Sequence, residues 1–259
     1  MTRAVVLPVL PAVLAAWRQF AVRPGYMLRV GWIPALLIFS VGALSQTAMG
    51  PALAGFWRVV LALLNFAVLV QVLVAWQRYA LPESHRRKGA TGLRAGRAEF
   101  FSLLHFPLVG VLFVPLLIPN LIENMVATQG MPGGMGDIAI GLVGLVLLVF
   151  PGGLFLLRAT LMLTAIAGAG NARISMIATA NRVWSLGAGN SIRVLLIFYL
   201  TVLPVALALA LLPDDMPALA QAGASGVLLT LYVMLCGGAM AGAYGRLAAD
   251  SGKSGKAVS

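Results

Sequence analysis

The sequence predicts an all-α polytopic membrane protein, with six transmembrane helices in three hairpins plus two interfacial amphipathic helices. Three observations lead there. The 259 residues are 61% hydrophobic and only 10% charged, with a mean hydropathy of +0.97, outside the range of globular domains. The apolar residues fall in runs of about twenty, the length that crosses a hydrocarbon core. The cations lie in the intervals between those runs, above all in the stretch from Ala75 to Phe101, AWQRYALPESHRRKGATGLRAGRAEFF.

Residues 1–25 read as an N-terminal interfacial helix. From Pro11 to Val22 the apolar positions Val13, Leu14, Trp17, Phe20 and Ala21 follow one helical face, with Arg18, Gln19 and Arg23 kept off it. Pro11 suits a first turn, and Pro24-Gly25 is expected to end the helix. That face is too short to span, so it should lie in the headgroup plane. The start MTRAVVLPVLPAVLAAW resembles a signal peptide, but Pro8 and Pro11 interrupt its apolar part and no small-x-small cleavage site follows. An uncleaved interfacial helix is the reading taken.

The six-helix domain occupies residues 26–245. Its first span covers about 27–44, with Pro34 inside and Gly50-Pro51 turning the chain afterwards. The second, 57–76, is framed by Trp57 and Trp76; nineteen steps of about 1.5 Å put both rings near interface depth. The basic loop 77–100 follows, then a third span at about 101–121 carrying Pro107, Pro115 and Pro119. A fourth, 138–157, is broken at Pro151-Gly152-Gly153. Within an interfacial segment at 172–187, Met176, Ile177, Ala180, Val183 and Trp184 repeat the spacing of the first amphipathic helix. The fifth span, 192–212, contains Pro204. The turn Pro213-Asp214-Asp215 leads to the sixth, 218–244, and residues 246–259 read as a flexible cytoplasmic tail.

Charge fixes the orientation. With the amino terminus inside, Arg3, Arg18, Arg23 and Arg29 precede the first span. The central loop holds the topology-setting cations Arg78, Arg86, Arg87, Lys88, Arg94 and Arg97. Arg158, Arg173, Arg182 and Arg193 sit between the fourth and fifth spans, and Arg246, Lys253 and Lys256 in the tail. Arg58 alone falls outside, so both termini are expected to be cytoplasmic. The odd-numbered spans all begin from a basic segment. Either three hairpins repeat about an axis along the membrane normal, or every inward loop simply carries this flank. The net charge of +11 is thus a topology signal rather than a nucleic-acid surface, with anionic headgroups on the cytoplasmic side as its partners.

Chemistry is sparse. His85 and His105, without paired carboxylates beside them, cannot supply an HExxH zinc site, and no GxSxG elbow, Walker loop or dinucleotide fingerprint is present. Cys236, the one cysteine, excludes an intrachain disulfide and thiolate metal sites. No catalytic residue, cofactor or metal is therefore expected. His105 lies near an interface, where snorkelling or a local hydrogen bond accounts for it. Asn65 and Gln71, about 120° apart around one helix, suit hydrogen bonds to neighbouring helices. Gly238 and Gly242 form GxxxG with Gly245 nearby, a small-residue face for close helix packing within the bundle or in a dimer.

The pattern AWQRYAL, a basic spacer and then GRAEFF, with Leu157-Arg158 and later NRVWSLGAGNSIRVLL, resembles a family of uncharacterised six-span bacterial inner-membrane proteins. The layout is more distantly similar to the membrane domain of glycerophosphoryl diester phosphodiesterases, whose catalytic domain is absent from this sequence. The resemblance implies a six-helix fold and a bacterial cell inner membrane location, and no biochemical role.

Two functions follow as expectations. One is a non-enzymatic scaffold that organises lipids, a protein partner or a second copy of the chain. The other is a transporter or channel for a small or amphipathic solute, in which Asn65, Gln71, His105 and Asn120 would converge on one cavity.

Overall fold

A computed structural model of the chain describes residues 6–22, 24–45, 51–82, 96–105, 109, 160–168, 176–213 and 215–256. The elements are helices: α1 (Val9–Val22), α2 (Pro24–Ser45), α3 (Pro51–Ala80), α4 (Arg97–Leu104), α5 (residues 160–168), α6 (Met176–Leu186), α7 (Ser191–Ala210) and α8 (Ala218–Lys256). No strand occurs among the described residues. Among the described residues three stretches, Val59–Ala80, Ser191–Ala210 and Ala218–Ala249, are long and apolar enough to cross a membrane.

α7 shows what kind of solvent these helices fit. Val194, Ile197, Phe198, Thr201, Val202, Val205 and Ala206 are buried, one face at 3.6-residue spacing. The opposite face is equally apolar, with Ile192, Leu196, Leu200, Leu203, Leu207 and Leu211 exposed in a row. A helix apolar all round belongs in a large core or in lipid. The hydroxyl on its buried face is satisfied internally, Thr201 Oγ1 donating to the Ile197 carbonyl at 2.6 Å.

α8 is the centre. It packs against α2, α3, α7 and α1, and from Thr230 to Ala248 almost every residue is buried. Its small residues set the distances. A Cβ on Gly226 would stand 2.8 Å from the Ala35 carbonyl oxygen of α2, and one on Gly245 2.8 Å from the Pro82 ring. α2 therefore runs antiparallel to α8, since Gly31 meets Met234 and Gly226 meets Ala35, and α3 parallel to it, since Gly237 meets Leu73 and Gly245 meets Pro82.

The observed helices depart from the expected spans at three places. Pro24 does not close α1 but opens α2, as its fixed φ and missing N–H suit a first helical turn. The basic loop is shorter than 77–100, because α3 continues to Ala80 and α4 starts at Arg97. α8 runs on to Lys256 with Leu247 and Ala248 buried, so residues 246–256 are helical where a flexible tail was expected. α1 docks through its small side, Ala12, Val13 and Ala16, while Leu10, Leu14 and Trp17 stay exposed. α6 falls within the expected segment 172–187, with Val183 buried and Arg182 and Trp184 exposed. Of the third span only its start is described. The fourth, with Pro151-Gly152-Gly153 and Arg158, lies outside the described residues.

Gly226→Ala should lower stability by about 1–3 kcal/mol, because the new methyl meets backbone rather than a movable side chain. Gly242→Ala, with no described atom within 4 Å of its Cβ position, should stay within about 0.5 kcal/mol. Reversible unfolding in mixed micelles measures both.

Candidate functional site

Polar groups of the described bundle gather at one end, where α3 finishes and α4 starts. Arg78, in the last turn of α3, is 3% exposed at its side chain and Glu99, in the first turn of α4, 4%. The two form a bidentate pair, Nη1 to Oε1 at 2.5 Å and Nη2 to Oε2 at 3.1 Å. Arg78 Nε donates to the Ala167 carbonyl of α5 at 3.1 Å. Beside it Gln77 Nε2 donates to Thr164 Oγ1 at 3.1 Å, and Thr160 Oγ1 lies 3.3 Å from Met240 Sδ of α8. α5 is thus clamped by charge from α3 and by packing from α8.

Directly alongside is an aromatic stack. Phe20 of α1 lies on Trp76 at 4.8 Å between centroids, and Tyr26 of α2 lies on Tyr79 at 4.3 Å. Trp76 is fully buried and joins helices together, while Trp57, at the other end of α3, is exposed. Gly238 comes against this stack. A Cβ there would be 3.3 Å from both Trp76 Nε1 and Gln19 Oε1, and 3.8 Å from Ala16 Cβ. Those two buried polar atoms, with Gln77 Oε1, Ser102 Oγ and Asn65 Oδ1, have no hydrogen-bond partner among the described residues.

The start of α1 is tied down by the same end of the bundle. Asn190 Oδ1, in the turn before α7, accepts from the Leu7 N–H at 3.1 Å, and Arg193 Nη1 donates to the Leu7 carbonyl at 3.1 Å. Arg246 of α8 donates to the Pro11 carbonyl at 3.3 Å. The turn itself needs Gly189, at φ 77°.

The expected site residues scatter. Of the topology-setting cations, Arg78 is corrected: it is a buried ion-pair partner inside a helix, not a solvated loop charge. Arg97 opens α4, and Arg86, Arg87, Lys88 and Arg94 lie outside the described residues. Asn65 and Gln71 are half-buried on α3. His105 turns back on its own helix, Nδ1 2.9 Å from the Phe101 carbonyl and its ring stacked on Phe101 at 3.9 Å. Asn120 is outside the described residues. Gly238 and Gly245 face α1, α3 and Pro82 within the bundle, whereas Gly242 faces no described atom. Glu99 as the partner of Arg78 was missed. No local signal links the two, which lie twenty-one residues apart.

Chemically this end can hold helices together and present a few polar groups. Among the described residues no cluster of three His, Cys, Asp or Glu could hold a metal ion. Comparison of the chain with protein-family models, with curated proteins and with solved structures gave no match.

Glu99→Gln or Arg78→Met should each destabilise the fold by about 3–5 kcal/mol, because each leaves a buried charge unpaired. The double variant Arg78→Met/Glu99→Met should recover most of that loss. Unfolding of all three variants in mixed micelles checks it.

Proposed function

We propose that the chain is a multi-pass protein of the bacterial inner membrane, with six spans in three hairpins and both termini cytoplasmic. In this reading it serves as a non-enzymatic scaffold that organises lipids or protein partners. The observation that carries it is α8, which packs against α1, α2, α3 and α7 with Gly226, Gly237, Gly238 and Gly245 in close contacts, while α7 turns a second, wholly apolar face outward. A bundle whose centre is filled and whose surface is greasy works through its outside. The buried Arg78–Glu99 pair supports the same view, since its donors and acceptors go to other helices and leave no charge presented to a solute.

The transporter reading retains one specific observation, the buried Asn65 Oδ1 without a described partner. Against it, His105 bonds within its own helix instead of meeting Asn65 and Gln71.

Extraction from native membranes in mild detergent, followed by native mass spectrometry, separates the two. A protein partner or a set of lipids retained in fixed proportion supports the scaffold; a retained polar solute supports the transporter. For topology, Asp215→Cys in a Cys236→Ala background should react with a membrane-impermeant maleimide on intact cells. Ser84→Cys in the same background should react only after lysis. The reverse pattern rules out the proposed orientation.

A further inference from the structure

We infer that the groove between the start of α1 and the first turns of α7 is a binding site for one anionic phospholipid. The inference rests on the membrane reading above and gives it a defined site. The groove, about 800 Å³, is lined by Leu7, Pro8, Val9, Gly189, Ser191, Ile192, Arg193 and Leu196, within the size range of small-molecule sites. Its wall is apolar except for Ser191 and Arg193.

Arg193 supplies the charge. Of its five N–H donors, Nη1 is used on the Leu7 carbonyl, which anchors the guanidinium at the groove and leaves its planar fork for a phosphate diester. Arg193 lies in the first turn of α7, where the helix dipole also favours an anion. The Asn190 side chain does not compete for that turn, because it makes no cap bond and accepts instead from the Leu7 N–H.

The apolar part has a continuation that a soluble anion would not use. Ile192 and Leu196 line the groove and are also the first members of the exposed row Leu200, Leu203, Leu207 and Leu211 down α7. Steps of three and four residues keep that row on one line of the helix. An acyl chain leaving the groove would lie along it with a leucine at every turn. Val6, Leu10 and Leu14, exposed at the start of α1, make a second apolar edge. One cation at the head and a long apolar track below match a phospholipid rather than inorganic phosphate.

The test uses the full chain in nanodiscs of phosphatidylcholine containing a minority of phosphatidylglycerol, with release into the gas phase and counting of the lipids retained. One phosphatidylglycerol should be retained preferentially. Arg193→Gln should weaken that preference about tenfold, Arg193→Lys should keep part of it, and Arg182→Gln, an exposed cation away from the groove, should change nothing. Leu196→Trp, which fills the groove without touching the charge, should lower retention of both lipids. Equal retention of the two lipids by the unmodified chain, an Arg193→Gln preference unchanged, or displacement by inorganic phosphate would overturn the site. A chain that fails to insert into the bilayer at all would instead overturn the membrane reading.

Discussion

Three helices, α1, α2 and α3, come close to the backbone of α8, and its glycines let them. In hydrocarbon, burying a leucine against another helix gains little, since lipid tails are as apolar as the side chain. What remains is close van der Waals contact and the few hydrogen bonds that cross between helices. α8 is built accordingly. Gly226 takes the backbone of α2, Gly237 that of α3, Gly238 the Trp76 ring and α1, and Gly245 the ring of Pro82. The same rule operates on α2, where Gly31 receives the Met234 side chain. The order of these contacts along α8 fixes which way each neighbour runs.

Polar groups then decide which end of the bundle is rigid. Arg78, Glu99, Gln77 and Thr164 are buried where α3, α4 and α5 meet, and their bonds leave three helices no freedom to slide. A buried pair of this kind contributes little net stability, since desolvation offsets the attraction. Its effect is on register, because a slip of either helix strands a charge in an apolar interior. The far end, with the turn after α7, has no comparable network among the described residues. Arg193 and Arg246 extend the pinned end to α1 by donating to the carbonyls of Leu7 and Pro11. Function placed at the groove would therefore sit on the stiffer half of the protein.

Much of the helical layout was legible, because runs of apolar residues at helical spacing need no tertiary information. α2, α3, α6 and α7 lie close to where periodicity and hydropathy put them. Where the structure departs from expectation, the reason is that a residue's type and flank are visible in the sequence and its partner is not. On α1 the apolar face of Leu14 and Trp17 is legible from spacing, but not that the helix docks on its neighbours through Ala12 and Ala16, which allow it to come close. Arg78 was counted with the loop cations because flanking charge is read by number, and nothing local reveals a carboxylate twenty-one residues away. The candidate polar residues were judged one by one from the sequence. Which of them meet is a property of the packing that sequence spacing does not contain.

The central claim is that α8 is the hub and that α1 docks on it through small residues. Disulfide formation between Ala16→Cys and Gly238→Cys tests it most directly, in a Cys236→Ala background within native membranes. The Cβ position of Gly238 lies 3.8 Å from Ala16 Cβ, inside the range a disulfide spans. Oxidation should cross-link this pair rapidly, while Leu14→Cys, on the exposed side of α1, should not couple to Gly238→Cys. Cross-linking through position 14 but not through position 16 would mean that α1 rests on its large residues, and α8 would not be the hub that its small residues make it.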